Sequence, residues 1–302
     1  MGSIAGVSQF LQQMINGLSV GAIYALIALG YTMVYGVLRF INFAHSDIFM
    51  VGAFAGLYSA RFFPAESILG GIAVMGIAMI LCAGLGIMVE RFAYRPLRSG
   101  SKLNVLITSI GVSLLIQNLF QLKITKPQSF PVLFPVKMIQ LPGGVIVSST
   151  QLLVFVVALV LMISLRYIVL KTRLGTAIRA VSFNPTAASL VGINNDVVIS
   201  FTFGLGSALA AAGGILYALN YPSIDPLMGV LPGLKAFVAA VLGGIGNIPG
   251  AALGGLVLGL IETFVNGSRF STYTDAIAFA LLILILLFKP SGLLGKSQTE
   301  KV

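Results

Sequence analysis

Eight long apolar runs with almost no charged residues dominate this chain. Most of them approach the ~20 apolar residues that an α-helix needs to cross the hydrocarbon core of a bilayer. The sequence therefore predicts an all-α polytopic membrane protein of about eight hydrophobic segments. These segments are Phe10–Leu38, Phe43–Ala60, Ser67–Val89, Leu103–Leu122, Gln151–Leu170, Val197–Leu219, Phe237–Phe264 and Tyr273–Phe288.

The composition excludes an ordinary soluble domain. Of 302 residues, 58% are hydrophobic and 9% are charged, whereas a soluble domain has roughly 25% charged residues to cover its surface. The net charge of +10 is also compatible with nucleic-acid binding, but the cations lie in short clusters between apolar runs. That placement is typical of cytoplasmic loops under the positive-inside rule, so we expect a lipid bilayer as the surroundings and no nucleic-acid partner.

The seventh run is interrupted in its middle. Phe237–Phe264 contains a sequence that breaks helices, because glycine adds backbone freedom and proline lacks an amide donor. If this run enters and leaves on the same side, about twice as many cations lie inside as outside, whereas a single crossing gives nearly equal numbers. We therefore predict a broken or re-entrant segment, an external N-terminus and a cytoplasmic C-terminus. The interrupting residues are Gly244, Gly246, Asn247, Pro249 and Gly250.

The stretches between the runs are too short for a second domain. Residues 1–302 are thus expected to form one transmembrane domain, with an ordered, proline-rich external loop at 123–150. Cys82 is the single cysteine, which excludes a disulfide framework within the chain and a cysteine-based zinc site. Glycines recur at four-residue spacing, as in Gly17 and Gly21 or Gly255 and Gly259, and predict close helix–helix packing in lipid.

A polar cluster lies at the junction of the first two runs. It includes Asn42, His45, which is the one histidine, and Asp47; with Tyr31, these are the candidate residues of the substrate path. An Asp in the hydrocarbon core costs at least ~2.5–3.5 kcal/mol, so such a group must be paired, hydrated or near the interface. Three interpretations remain open: Ser46 or Asp47 caps the second helix, the cluster lines or gates the path, or His45 and Asp47 form a proton relay.

The polar region 171–195 carries the clearest local signals. Pro185 can begin a short helix, Asn184 can cap it and Gly192 can end it. A solvated connector is one interpretation, but an exposed apolar face favours docking to a soluble partner. That face is expected to consist of Ala187, Ala188, Leu190 and Val191.

Enzymatic chemistry is not expected. The chain has no paired-carboxylate, Ser-His-Asp or metal-ligand pattern. Gly295-Lys296-Ser297 imitates the end of a phosphate-binding loop, but Pro290 stands where that loop requires glycine. We therefore expect a transport subunit that binds no cofactor itself.

Two stretches near the N-terminus, 16–30 and 41–45, resemble the opening of the branched-chain amino acid ABC permeases, of the LivH type. Further similarity covers Glu90-Arg91 to Pro96-Leu97, 175–194 and 242–251. The family usually has glycine after the histidine and glutamate next, where this chain has Ser46 and Asp47. A side chain at Ser46 restricts the backbone locally.

The resemblance implies an importer in the bacterial inner membrane with several partners. These are a second homologous permease, two cytoplasmic ATPases that bind ATP and Mg²⁺, and a periplasmic amino-acid-binding protein. The stretch matching 175–192 resembles the loop that couples to an ATPase, so Arg179→Glu is expected to uncouple transport or disrupt assembly. The coupling residues are Gly175, Arg179, Asn184, Pro185, Ala188 and Gly192.

Other functions remain open at this point. An ABC permease for urea or short amides would share this frame. A proton- or sodium-coupled secondary amino-acid transporter would work as a single chain and depend on His45 and Asp47. A scaffold subunit without transport would tolerate the loss of both residues.

Overall fold

The computed structural model describes residues 2–98, 100–141 and 144–295. Of the residues discussed above, Lys296 and Ser297 lie outside this part. The helices are α1 Gly2–Leu38, α2 His45–Ser59, α3 Ile68–Val89, α4 Lys102–Gln121, α5 Ser149–Lys171, α6 Arg173–Phe183, α7 Pro185–Leu190, α8 Asn195–Asn220, α9 Val230–Gly243, α10 Ile248–Asn266 and α11 Thr274–Phe288. Ala60–Phe62 and Ser271–Tyr273 are 3-10 turns, and Glu90–Tyr94 is a π-helical turn.

The predicted all-α membrane fold is confirmed. In the described ranges, 7 helices are long and apolar enough to cross a membrane. The helix ends follow from local chemistry: the Ser67 hydroxyl accepts a hydrogen bond from the Gly70 amide at 3.3 Å, which satisfies an otherwise free donor in the first turn of α3. Two elements of the bundle, α2 with 15 residues and α9 with 14, are shorter than a full span and lie largely within the protein.

The bundle has two ends, which we name by what they carry. The loop face carries residues 122–141 and 144–148, and the Gln12 amide of α1 donates to the Ile146 carbonyl there at 2.8 Å. The short-helix face carries α6 and α7, and the Ser182 hydroxyl of α6 donates to the Gly36 carbonyl near the end of α1. Since α1 runs from the first face to the second, its direction orients every later helix.

The seventh apolar run is two helices, as its interruption predicts. After α8 reaches the loop face, α9 crosses to the short-helix face, the chain turns at 244–247, and α10 returns. The Leu293 amide donates to the Leu242 carbonyl at 2.8 Å, which fixes this turn beside the C-terminal residues. The first helix begins at Val230 rather than at the predicted Phe237, because Lys235, a residue type that by itself favours a loop, is buried in ion pairs.

The loop at 123–150 contains strands that the sequence analysis missed. β1 (Gln128–Ser129) pairs antiparallel with β4 (Ser223–Ile224), and β2 (Met138–Leu141) pairs antiparallel with β3 (Val145–Ser148). The first pair ties the loop to the segment that precedes α9. The loop ends at Ser148, whose hydroxyl accepts from the Thr150 amide at the start of α5, at 3.2 Å.

The predicted glycine contacts join α1 to α10. A Cβ added to Gly21 would lie 2.8 Å from the Leu256 Cα, and one added to Gly259 would meet the backbone of Gly21. The same close approach occurs at Gly52 of α2, which faces Ala211 of α8. Small residues thus allow backbone-to-backbone packing where lipid supplies no hydrophobic drive for association.

Candidate functional site

The helix α2 starts inside the bundle without a side-chain cap. The chain leaves α1 at Leu38, passes Arg39 with a left-handed φ of 55°, and turns back through a non-helical stretch to His45. Among the described residues, no side chain caps the first turn of α2. The capping interpretation is therefore wrong: the Ser46 hydroxyl donates to the Phe43 carbonyl at 2.9 Å, and Asp47 points to α4.

The four candidate path residues form a buried polar cluster. Tyr31, Asn42, His45 and Asp47 are each no more than 4% exposed. The Tyr31 and His45 rings pack with their centroids 4.6 Å apart. The cluster also includes two groups that the sequence analysis missed: the Tyr94 hydroxyl donates to the Asn42 Oδ1 at 2.7 Å, and the Gln117 Nε2 donates to the Asp47 Oδ1 at 2.8 Å. Gln117 lies in the second half of α4, followed directly by Asn118, and a polar pair in an apolar run is a signal that the sequence offered.

Two buried atoms of this cluster are left with unused hydrogen-bonding capacity. Within 2–98, 100–141 and 144–295, neither the His45 Nε2 nor the Asp47 Oδ2 has a hydrogen-bond partner. Leaving such a group unpaired costs roughly 1–3 kcal/mol. His45 is held tightly, since a Cβ on Gly30 would overlap its ring. Neither of the two cavities described below is lined by the cluster, so its role in the path stays a prediction.

Ser46 lies against two glycines, Gly229 directly before α9 and Gly233 within it. A Cβ on Gly229 would meet the Ser46 carbonyl, and one on Gly233 would meet the Ser46 Cβ. The side chain at position 46 is therefore accommodated by the absence of side chains across the contact. The junction of α1, α2 and α9 has no spare volume for a further carbon atom.

The short helices at 171–195 are positioned by their caps. The predicted helix is present as α7, with Pro185 in its first turn, and the Asn184 Oδ1 accepts from the Ala187 amide at 3.0 Å. Gly192 follows with a φ of 86°, a conformation that glycine adopts without strain. The longer helix α6 precedes it and was not predicted from the sequence.

Two of the candidate coupling residues connect α6 to the end of α5. Gly175 is buried, and a Cβ there would overlap the backbone of Ile168 and Val169. The Arg179 guanidinium donates to the Val169 carbonyl, one of the free acceptors at the C-terminus of α5. Arg179 therefore has a structural role within the chain, and Arg179→Glu would disturb the α5–α6 corner as well as any docking surface.

The exposed apolar face of this region differs in membership from the prediction. Ala188 is 3% exposed and packs inward, because it lies on the face of α7 that contacts the bundle. Ala187 is exposed as predicted, and the largest exposed apolar side chains are Phe183, Leu190 and Val191, at 87%, 82% and 77%. We call these three residues the apolar ridge.

A charged network fixes the bundle beside the ridge. Glu90 is fully buried, and its carboxylate lies 3.2 Å from the Arg95 guanidinium and 3.4 Å from that of Arg98. Both arginines also pair with Asp196 at the start of α8. Burial lowers the pKa of Arg98, and the neighbouring Glu90 carboxylate opposes that shift. The network borders a cavity of about 650 Å³ that also includes Arg39, Lys102 and Pro185.

The interrupting residues of the seventh run form the turn between α9 and α10. Gly244 and Gly246 have φ values of 104° and 91°, which side-chain-bearing residues rarely adopt. The Asn247 Oδ1 accepts from the Gly250 amide at 3.1 Å, and Pro249 lies in the first turn of α10. Asn247 also donates to the Leu294 carbonyl at 2.6 Å. The turn is thus an ordered corner at the short-helix face.

No metal site is formed by the described residues. Nowhere in that part of the chain do three His, Cys, Asp or Glu side chains come together as ligands. The polar groups of the site offer hydrogen bonds and charge.

Comparisons with known proteins point to one family. The model of the family described as "Branched-chain amino acid transport system / permease component" matches residues 13–286. The chain is 43% identical to the high-affinity branched-chain amino acid transport system permease protein BraD of Pseudomonas aeruginosa, over 98% of this chain and 99% of that protein. It is 39% identical to the corresponding permease protein LivH of Escherichia coli K12, over 97% and 98%. A probable LivH of Methanocaldococcus jannaschii is 28% identical over 89% and 88%.

Proposed function

Because this chain belongs to the branched-chain amino acid transport permease family, we propose that it is the membrane-spanning subunit of an ATP-driven importer of branched-chain amino acids. Its similarity to the permeases of such systems extends over nearly its whole length, and 7 of its described helices can cross a bilayer. This chain moves the amino acid across the inner membrane and leaves ATP hydrolysis to other polypeptides.

The observation that carries the energy-coupling part of the proposal is the apolar ridge. Phe183, Leu190 and Val191 stand almost fully exposed at the end of the bundle, and Phe183 borders the cavity that Arg39 and Lys102 also line. Large apolar side chains concentrated on a polar surface mark protein–protein contacts. We propose that α6 and α7 insert into a cleft of a cytoplasmic ATPase that binds ATP and Mg²⁺, with one such ATPase for each of two permease subunits.

The distribution of cations supports one orientation of the bundle, which we propose. Arg91, Arg95, Arg98 and Lys171 belong to the larger group of cations, at the short-helix face, whereas the loop face carries fewer. By the positive-inside rule, the short-helix face is cytoplasmic. The N-terminus is then external, the C-terminus is cytoplasmic, and the 123–150 loop receives a periplasmic amino-acid-binding protein.

The path itself runs beside the start of α2. Tyr31 packs on His45 at the start of α2 and on Phe237 of α9, whereas Asn42 and Asp47 face Tyr94 and α4. Short, broken helices of this kind form substrate sites in other transporters. The cluster is closed in this conformation. We propose that movement of α9 relative to α2, driven from the short-helix face, opens it toward a second, homologous permease.

The proposal is tested by isolating the complex in mild detergent and reconstituting it. We expect two P-loop ATPases and a second multi-spanning subunit to copurify. Proteoliposomes are expected to take up leucine only with ATP and an amino-acid-binding protein. A chain that transports leucine alone, without ATP and in a manner abolished by a proton or sodium ionophore, would instead indicate a secondary transporter. Competition by urea or acetamide, but not by isoleucine or valine, would replace the substrate assignment.

A further inference from the structure

A polar cavity opens at the loop face between α1, α5, α8 and α10. Its volume is about 310 Å³, and Val20 is its one aliphatic lining residue among the described ones. The cavity is far from the charged network at the other end of the bundle. Its polar lining includes Asn16, Ser19, Gln151, Asn220, Glu262 and Asn266.

One side of this cavity carries excess negative charge. The Lys235 ammonium lies 2.7 Å from a carboxylate oxygen of Glu262 and 2.7 Å from one of Asp275. Lys235 and Glu262 are nearly buried, with side chains 8% and 11% exposed, whereas Asp275 is 52% exposed. A single ammonium thus faces two carboxylates, and the buried one is neutralised only in part.

The second oxygen of Glu262 has unused hydrogen-bonding capacity. Its Oε1 pairs with Lys235, but the buried Oε2 has no hydrogen-bond partner anywhere in the described ranges, and the same is true of the Ser19 Oγ. The Tyr24 hydroxyl lies within hydrogen-bonding reach of this carboxylate, so a ligand would share the carboxylate with Tyr24 and Lys235. A buried carboxylate oxygen is a strong acceptor for a charged donor, and leaving it unpaired costs more than leaving a neutral group unpaired.

The cavity also contains hydrogen-bond donors, which are the side-chain amides of two asparagines. The Asn16 Oδ1 already accepts from Gln12 and Gln151, at 3.1 and 2.8 Å. The Asn266 Oδ1 accepts from the Thr274 hydroxyl at 2.6 Å. With its oxygen occupied, the Asn16 side chain has its amide nitrogen left as a donor. The Thr274 hydroxyl has one proton and a second acceptor at 2.6 Å, the Ser271 carbonyl, and the Asn266 amide nitrogen is a further donor.

We propose that this cavity binds a free amino acid by its ammonium and carboxylate groups. Glu262 Oε2 and Ser19 Oγ accept hydrogen bonds from the ammonium, and the amides of Asn16 and Asn266 donate to the carboxylate. The inference rests on the proposed function and adds to it a reception site within this subunit.

The lining also predicts that the site does not distinguish amino acids by their side chains. Because Val20 is the one aliphatic group on its walls, the cavity gives little burial to a branched side chain. The site therefore recognises the part that all amino acids share, and leucine and alanine bind to it with similar affinity. Selection for branched side chains belongs to another step.

The test uses a cysteine probe in the assembled transporter. In a Cys82→Ala background, Asn220→Cys in right-side-out membrane vesicles is treated with aminoethyl or sulfonatoethyl methanethiosulfonate. We expect the cationic reagent to react at least about ten-fold faster than the anionic one, since a charged cleft concentrates counter-ions by 10-fold or more. Glu262→Gln should bring the two rates close together. Asp275→Asn, which alters the same Lys235 pair outside the cavity, should preserve most of the difference.

Protection by ligands identifies the chemistry. Leucine and alanine should slow modification of Asn220→Cys, leucinamide should slow it less, and 4-methylpentanoate, which lacks the ammonium, should have no effect. Glu262→Gln should abolish the protection. Protection by sodium chloride but not by leucine would overturn the proposal in favour of an inorganic-cation site.

The same vesicles separate this proposal from the function on which it rests. ATP-dependent leucine uptake without any protection of Asn220→Cys would overturn the amino-acid site and leave the importer function intact. Protection without ATP-dependent uptake would instead contradict the importer function and support the site.

Discussion

The Ser46 side chain packs directly against Gly233, and this contact leaves no room for a further carbon atom on either residue. Because a Cβ on Gly233 would overlap the Ser46 Cβ, Gly233→Ala should destabilise the protein by about 1–3 kcal/mol, the usual cost of overpacking. Adding Ser46→Gly should recover much of that loss. The check is the thermal denaturation of all four variants in detergent, combined as a double-mutant cycle. Equal losses in Gly233→Ala with and without Ser46→Gly would contradict the contact.

The Asp47–Gln117 hydrogen bond allows stability and transport to be separated. Gln117→Met removes the partner of the Asp47 Oδ1 and should cost about 1–3 kcal/mol, because it leaves a buried acceptor unsatisfied. Replacing both residues, as Asp47→Leu with Gln117→Met, should restore most of the stability.

Leucine uptake by the same double variant tests the path prediction. If Asp47 lines the path, uptake stays low although the protein is stable. A stable double variant with normal uptake would show that Asp47 serves only to hold α2 against α4.

At the level of elements, the sequence predicted what depends on local chemistry. The long runs and the α7 caps at Asn184 and Pro185 were readable because hydropathy, capping and proline act over a few residues. The start of α9 was not, since Lys235 in isolation indicates a loop and only the distant Glu262 and Asp275 make its burial tolerable. The same limit explains the missed pairing of β1 with β4.

In the candidate site, too, local features were predictable from the sequence and contacts between distant residues were not. The sequence identified His45 and Asp47 as unusual, because ionisable residues in apolar runs are costly. It did not identify their neighbours, because Tyr94 and Gln117 come from other helices. The wrong capping interpretation arose because Ser46 and Asp47 are good caps by type, whereas packing against α9 and α4 directs their side chains elsewhere.

The contact between α1 and α10 gives a prediction at the element scale. Gly259→Val would force side-chain atoms against the backbone of Gly21 and Gly17, and backbone cannot rotate away. We expect this variant to be destabilised by about 1–3 kcal/mol or more and to accumulate poorly in the membrane. Gly84→Val is the matched control: a Cβ there meets nothing within 4 Å, so its melting temperature and amount should stay close to those of the parent. Equal behaviour of the two variants would contradict the close packing.

For the molecule as a whole, the orientation in the membrane and the docking of the ATPases can be tested at the same positions. The chain crosses from the loop face to the short-helix face in α1 and ends at the short-helix face after α11, so one labelling experiment can determine the sidedness of both faces. Met138 in β2 and Leu190 in α7 are exposed by 68% and 82%, whereas the native Cys82 is buried. Single cysteines at positions 138 and 190 therefore report on opposite faces with little background.

In spheroplasts, a membrane-impermeant maleimide should label Met138→Cys and leave Leu190→Cys unmodified, because positive loops stay in the cytoplasm. After the membrane is opened, Leu190→Cys should react fully in cells that lack the partner ATPases and several-fold more slowly in cells that contain them, since docking would cover the apolar ridge. Thr186→Cys, exposed at the start of α7 and outside the ridge, controls for accessibility of the helix. Labelling of Leu190→Cys in intact spheroplasts would reverse the orientation. Equal labelling with and without the ATPases would remove the ridge from the interface, and the energy of ATP hydrolysis would then have to enter through another part of the short-helix face.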